Sequence, residues 1–290
     1  MRKHAFLLLV HNQPILLRRL LTRLQCPSHY FFIHVDKRVD LNPFKEMVSD
    51  VPQVFFLQDR KACNWGGNNM VWATLELLKT AQGANDFAYY HLVSGTDAFC
   101  STNKEFDSFF ENNCRNYIAK LPNSSEYEWR EKIYGLENFL SRRKKWGDFV
   151  CRNVIKVQRK IQKFVPLRRG LPKEIVYCKG SQWWSLHSSM VQYILNFLKN
   201  NHWYLECFSN SFCSDEAFFQ TLVYNSPLKE NIVSNNLRYI DWSPKYPKEN
   251  LPRILNESDF AAIISSGKFF CRKMDENKSR KLMEMIDSAS

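Results

Sequence analysis

Ala5-Phe-Leu-Leu-Leu-Val10 is an unbroken apolar run, and from Gln13 to Gln25 the residues Leu16, Leu17, Leu20, Leu21 and Leu24 recur at helical spacing. Tyr30-Phe-Phe-Ile-His-Val35 returns to the short-run pattern, and Val54 to Leu57 repeats it. Short apolar runs without polar alternation are the mark of strands buried on both faces. Strand, helix, strand in this rhythm predicts an α/β fold with a mostly parallel central sheet flanked by helices. In open sheets of that kind ligands bind beyond the carboxyl ends of the strands. His11 and Asp36 each follow such a run and are therefore candidate binding residues.

Working outward, Trp65-Gly66-Gly67 precedes a helix predicted from Asn68 to about Thr80, with Met70, Val71, Leu75 and Leu78 on one face. Glycines there permit tight backbone beside a helix start, a place that suits a phosphate or a sugar hydroxyl. Phe87 to Val93 reads as a strand ending in Ser94-Gly-Thr-Asp97, Thr102-Asn-Lys-Glu105 is a capping box, and Tyr117 to Ala119 is a further strand. Ser124 to Arg130 is polar and is expected to face an acceptor. Met190 to Leu198 predicts an amphipathic helix, Ile232 to Ile240 a strand, and Ser258 to Ser266 a helix.

Two segments carry the chemistry. Lys179-Gly-Ser-Gln-Trp-Trp-Ser-Leu186 reads as a strand in which Gly180 lets something approach the backbone, while Trp183 and Trp184 offer flat apolar faces for sugar rings. Cys213-Ser-Asp-Glu-Ala-Phe-Phe-Gln-Thr221 reads as a helix start, with Ser214 as N-cap and Asp215 and Glu216 in a first turn that favours carboxylates. An ionised Glu216 can accept a proton. The alternative is a plain helix cap beside core tryptophans.

A chain of 290 residues at 44% hydrophobic can bury one large α/β domain or two joined lobes. No apolar run is long enough to cross a bilayer, and Met1 to Val10 reads as the first strand rather than a signal peptide. Nine cysteines without a C-x-x-C pair suggest free thiols in a reducing cytoplasm. The net charge is +12, and Ser141 to Gly170 holds 11 Lys/Arg against the single acid Asp148. The charge is thus a local feature. Within that segment Trp146, Val150, Val154, Ile161 and Phe164 alternate with Arg152, Lys156, Arg159, Lys160 and Lys163, the pattern of a helix on an anionic membrane surface or of a solvated basic face. Nucleic acid is disfavoured, because no recognised binding module is present and stacking aromatics are sparse there.

Five blocks in order resemble the core-2/I-branching β-1,6-N-acetylglucosaminyltransferase family, which also contains the peptide O-xylosyltransferases. They are Ile33-His-Val-Asp36, Trp65-Gly-Gly67, Leu92-Val-Ser-Gly-Thr-Asp97, the two chemistry-bearing segments, and Leu237-Arg-Tyr-Ile-Asp-Trp-Ser243 leading to Phe270-Cys-Arg-Lys273. The resemblance implies a GT-A type glycosyltransferase fold in one domain. Its nucleotide-binding half would be 1–122, a variable basic insertion 123–172, and the catalytic and acceptor half 173–290. It implies Glu216 as general base, and Lys273 with Arg253 on the diphosphate, Arg238 or Arg272 being alternatives to Arg253. It assigns His11, Asp36, Trp65 and Asp97 to the nucleotide, and Gly180, Ser181, Gln182, Trp183, Trp184 and Trp242 to donor or acceptor sugar.

The chain contains no D-x-D, the usual metal-holding motif of this fold, and the resembled family works without a metal. The implied chemistry is inverting transfer from a UDP-sugar, with N-acetylglucosamine the leading donor sugar and xylose next. No cofactor beyond that donor is expected. The acceptor would be a glycan or a lipid-linked glycan. Animal members of the family are anchored and disulfide-bonded, so these features also suggest a compact cytosolic relative, at most peripheral to a membrane. A retaining transferase, a silent sugar-binding module and a basic scaffold are the rival readings.

Overall fold

The computed structural model describes residues 2–137, 145–164, 170–244 and 250–289. Its strands in chain order are β1 (His4–Val10), β2 (His29–Val35), β3 (Val54–Phe56), β4 (Tyr89–Ser94), β5 (Ala98–Phe99), β6 (Asn116–Lys120), β7 (Gly180–His187), β8 (Ile232–Val233), β9 (Arg238–Ile240) and β10 (Phe270–Arg272). Seven form one sheet in the order β3-β2-β1-β4-β7-β6-β8, and β5-β10-β9 form a second, small one. β1 to β4 are mutually parallel where they pair, while β7 runs antiparallel to both β4 and β6.

The alternation within β1 shows why its run is apolar throughout. Ala5, Leu7 and Leu9 join Phe32, Leu92, Trp184 and Leu186 in a core beneath the helices Asn69–Ala84, Ser188–Asn200 and Phe218–Tyr224. Phe6, Leu8 and Val10 face the other way, against Leu17, Leu20, Leu21 and Leu24 of the helix Pro14–Leu24 and Phe106 and Phe110 of Asn103–Glu111. Each strand residue therefore meets a helix, which is the α/β architecture expected. The capping box at Thr102 and Glu105 forms as read.

Two expectations fail locally. Ile232 to Ile240 is not one strand: Leu237 adopts a left-handed φ of 57°, and the chain leaves the large sheet at β8 to enter the small one at β9. Ser214 does not cap a helix. Ser214–Glu216 is a 3-10 turn, the α-helix begins only at Phe218, and Ser214 Oγ is buried without a partner.

At the amino ends of the parallel strands lies a buried polar chain. His91 Nδ1 meets Ser185 Oγ at 2.9 Å, His91 Nε2 meets His4 Nδ1 at 3.0 Å, and His29 Nε2 meets Asp107 Oδ1 at 2.8 Å. Burial opposes charge on His29, yet hydrogen bonds to Asp107 and Cys26 lift it to about 9, whereas burial and His29 push His4 down to about 3. His29 thus carries the charge opposite Asp107, and His4 stays neutral. Among the described residues, His4, His29 and Asp107 are the one grouping close enough to share a metal ion. They sit at the edge of the sheet opposite His11 and Asp36.

Candidate active site

β7 organises the functional edge. Its register pairs Trp184 with Leu92 and His187 with Tyr89, so its first residues project past the carboxyl end of β4. Lys179 precedes it at the same edge and gives its ammonium to Glu216 Oε2 at 3.0 Å. Arg130 Nη1 donates to the same oxygen at 2.9 Å. Glu216 Oε1 takes no hydrogen bond from any described residue. One oxygen is fixed by two cations and the other is left for an incoming donor.

The turn that carries Glu216 is placed by the glycine block. Cys213 N donates to Gly66 O at 2.8 Å, and Cys213 itself takes a left-handed φ of 53°. Gly66 has φ +79°, and a Cβ there would lie 2.8 Å from the Phe212 ring. The glycine is needed so that the Trp65 loop can press on the Phe212–Glu216 loop. Trp65 stands edge-on to Phe212 at 5.7 Å and is 64% exposed, while Trp129 stacks on Phe212 at 6.2 Å. Arg159 lies over the Phe212 ring at 4.3 Å and Arg130 at 5.3 Å, so aromatic faces and guanidiniums alternate beside Glu216.

Asp215 is buried, and burial followed by the neighbouring Glu216 charge pushes its carboxyl up to about 7. Its Oδ1 has no partner. The two adjacent carboxylates are therefore unlike: Glu216 is paired and partly exposed, Asp215 is enclosed.

Past the carboxyl end of β2, Asp36 is held by Arg38, whose Nε and Nη2 donate to its two oxygens at 2.9 and 2.7 Å, and Cys63 N donates at 3.1 Å. Burial opposes ionisation there, but Arg38 keeps the carboxyl below the usual range. His11 is exposed just past β1. Gln13 ties this corner to the chain after β10, donating to Asp275 Oδ2 at 3.1 Å and accepting from Glu276 N at 3.2 Å. Lys273 lies on that same segment, half-buried, and makes no ion pair among the described residues. Burial and the charge of Arg272 lower its pKa, with Asp275 opposing.

Several expected contacts must be corrected. Asp97 has no exposed side-chain surface: it lies between Arg238 Nε at 3.6 Å and Arg272 Nε at 3.5 Å, so it holds the arginines and does not reach a nucleotide directly. Arg253 is equally committed. Its guanidinium donates to Asp241 Oδ2 at 2.9 and 2.5 Å and to Asp259 at 3.1 and 2.5 Å, leaving no free edge for a diphosphate. Trp184 is 0% exposed and packs on Phe219, because alternation along β7 turns it into the core. Trp183 is buried too, and its ring carries the Arg272 guanidinium at 4.3 Å. What approaches Gly180 is a neighbouring strand, since a Cβ there would lie 1.7 Å from Ala119 O.

Ser181 and Gln182 stay at the edge, Ser181 Oγ accepting from Asn236 Nδ2 at 2.9 Å and Gln182 Nε2 lying 3.8 Å from Met70 Sδ. Trp242 is 58% exposed, beside the Asp241–Arg253 pair. Cys26, Cys63, Cys100, Cys114, Cys178, Cys213 and Cys271 form no disulfide among the described residues. Of the basic segment 141–170, residues 141–144 and 165–169 lie outside the described residues. The rest is the helix Lys145–Phe164 and the non-helical Gly170.

The sequence reading missed Arg130, Lys179 and the Phe212 stack. Arg130 and Lys179 belong to segments separated by the basic region, and nothing in their spacing marks them as partners of Glu216. Arg272 was only an alternative to Arg253. The charge balance could have raised it, since Arg253 has two acids within reach of its loop and Arg272 shares one with Arg238.

The geometry agrees with the comparisons. Residues 4–264 match the family model "Core-2/I-Branching enzyme". Xylosyltransferase 2 of Rattus norvegicus is 26% identical over 98% of this chain and 33% of its own, and that of Homo sapiens 27% over the same shares. The Ciona intestinalis xylosyltransferase is 25% identical, again over 98% and 33%. The chain spans about a third of the length of these relatives. Its sheet of mainly parallel strands between helices is the GT-A type α/β fold, and by this match over nearly its whole length the chain belongs to the core-2/I-branching enzyme family of glycosyltransferases.

Proposed function

We propose that this protein transfers a sugar from a UDP-sugar to an acceptor hydroxyl with inversion and without a metal. The observation that carries the reading is Glu216: its Oε2 is fixed by Arg130 and Lys179 while its Oε1 is open, at the edge where Asp36, Lys273 and the start of β7 also lie. Oε1 takes the proton from the acceptor hydroxyl as that oxygen bonds to the anomeric carbon. The bond from that carbon to the β-phosphate oxygen breaks, and UDP leaves with the electron pair. Lys273 and Arg272 stabilise its growing charge, a point charge and a planar fork being suited to phosphate oxygens. Arg272 fits this role because it shares one carboxylate with Arg238 and its Nη1 is buried without a partner.

Asp36 and the exposed His11 would meet the uridine. Trp65 and Trp242 replace Trp183 and Trp184 as the faces on which a sugar can stack, because both are exposed at this edge; Trp129 is exposed there too but stacks on Phe212. The family resemblance implies UDP-N-acetylglucosamine ahead of UDP-xylose. The likeness to xylosyltransferases favours the pentose, and both donors belong in the test. The acceptor would be a glycan, free or lipid-linked.

A thermal-shift screen of UDP-sugars in EDTA tests the reading. One donor should raise the melting temperature selectively, by mass action on the native state. Stabilisation only after manganese is added would overturn the metal-free part, and no response to any UDP-sugar in either condition would overturn the whole.

A further inference from the structure

Among its described side chains, the helix Lys145–Phe164 is joined to the body by one side. Ile155 is buried, Gln158 and Gln162 donate to Tyr134 O, and Arg159 Nη2 donates to Glu137 Oε1 at 2.9 Å. Val150, Val154, Val157, Ile161 and Phe164 form a separate stripe with three- and four-residue spacing, and all five are exposed, from 41% at Val154 to 87% at Phe164. At about 1.5 Å per residue the stripe is roughly 21 Å long. A continuous apolar stripe of that length facing water marks a contact surface.

Lys156 and Lys160, both exposed, line the edge of the stripe that faces away from the body. The helix as a whole contains six Lys/Arg and one acid, Asp148. From this charge beside the stripe we propose that the helix docks on an anionic lipid bilayer, with the valines, Ile161 and Phe164 entering the headgroup boundary and the lysines meeting lipid phosphates. A second copy of the chain is the poorer occupant, because pairing two such stripes would bring two strongly basic helices together with only one acid in each.

The helix is also coupled to the candidate site. Arg159 lies over Phe212, Arg130 lies over the same ring, and Arg130 holds Glu216. Arg159 leaves the helix on the face opposite the stripe, so a bilayer under the stripe would lie about one helix diameter, roughly 10 Å, from the Phe212 stack beside Glu216, and a lipid-linked acceptor is the kind such docking would favour. That consequence rests on the transferase reading. The docking itself does not.

The test is co-sedimentation of the whole protein with vesicles of phosphatidylcholine alone, or with a third of the lipid replaced by phosphatidylglycerol. The wild type should sediment with the anionic vesicles and be released by salt. Lys156→Glu with Lys160→Glu, and separately Val157→Asp with Ile161→Asp, should each lower partitioning roughly tenfold or more. Their circular dichroism and melting should match the wild type, since these side chains face solvent. Failure of the wild type to sediment with anionic vesicles would overturn the proposal, as would wild-type binding by either double variant. So would a lipid-free dimer abolished by Val157→Asp. Donor binding in the thermal-shift screen is unaffected by any of these results, so the two proposals fail separately.

Discussion

Asp215→Asn should stabilise the protein above neutral pH and do little for it in acid. The wild-type carboxyl is raised to about 7 by burial and by Glu216 beside it, against 3.8 for an ordinary aspartate. Between those two values the native state keeps a proton that the unfolded chain has released, so stability falls as pH rises through that window and is level above it. Three pH units at about 1.36 kcal/mol each give a ceiling of about 4 kcal/mol at pH 8. For 290 residues an unfolding entropy of about 2.1 cal/mol/K per residue converts this to a melting shift of roughly 7 °C. Asparagine cannot titrate, and its shape and hydrogen-bonding costs are the same at every pH. His29 titrates identically in both proteins. The assay is therefore the difference in melting temperature, variant minus wild type, from pH 4 to pH 8. It should grow by several degrees across that range. A difference that stays constant would refute the enclosed-acid account of Asp215 and remove the contrast drawn with Glu216.

Glu216→Gln should lower turnover by roughly two to four orders of magnitude while leaving UDP affinity nearly unchanged; turnover within a few-fold of wild type would take the residue out of the base role. Lys273→Ala should weaken UDP binding by about tenfold in calorimetry. Because burial and Arg272 lower the Lys273 pKa, wild-type affinity should also decline with rising pH earlier than an ordinary lysine would dictate, a decline the variant should lose. Arg253→Ala should behave in the opposite way, costing about 3–5 kcal/mol of stability by stranding Asp241 and Asp259 while the folded fraction binds UDP normally. A large loss of UDP affinity in the folded Arg253 variant would restore it to the diphosphate site. Gly180→Ala should lower the melting temperature by several degrees or prevent folding, since Ala119 O stands where the new Cβ must go; a stable variant defective only in sugar binding would contradict this.

Much of the fold could be read from the chain because its signals are local. The run Ala5 to Val10 is apolar at every position because helices cover both faces of β1, and the leucines from Leu16 to Leu24 are spaced to meet one of those faces. The site was legible only in part. Motif order singles out Glu216, Asp36 and Lys273 as candidates, but their surroundings depend on contacts between distant segments. Arg130 and Lys179 reach Glu216 from opposite sides of the basic region, and the turn at Ser214 is a 3-10 element because it is drawn toward Gly66 rather than into the helix. Paired tryptophans looked like a sugar platform, yet alternation along β7 sends one into the core and Arg272 covers the other.

Charge balance explains which cations remain for chemistry. Arg253 faces two carboxylates, so its cluster is net negative before any ligand arrives. Arg238 and Arg272 share the single Asp97, and Lys273 follows Arg272 directly without an ion pair among the described residues. That cluster carries two surplus positive charges in a largely buried setting, where burial already lowers the pKa of all three cations. A diphosphate would relieve this imbalance, and its departure would restore it. The stored repulsion therefore favours the state in which the leaving group carries the most negative charge, which is what the metal-free transfer proposed above would require of these side chains.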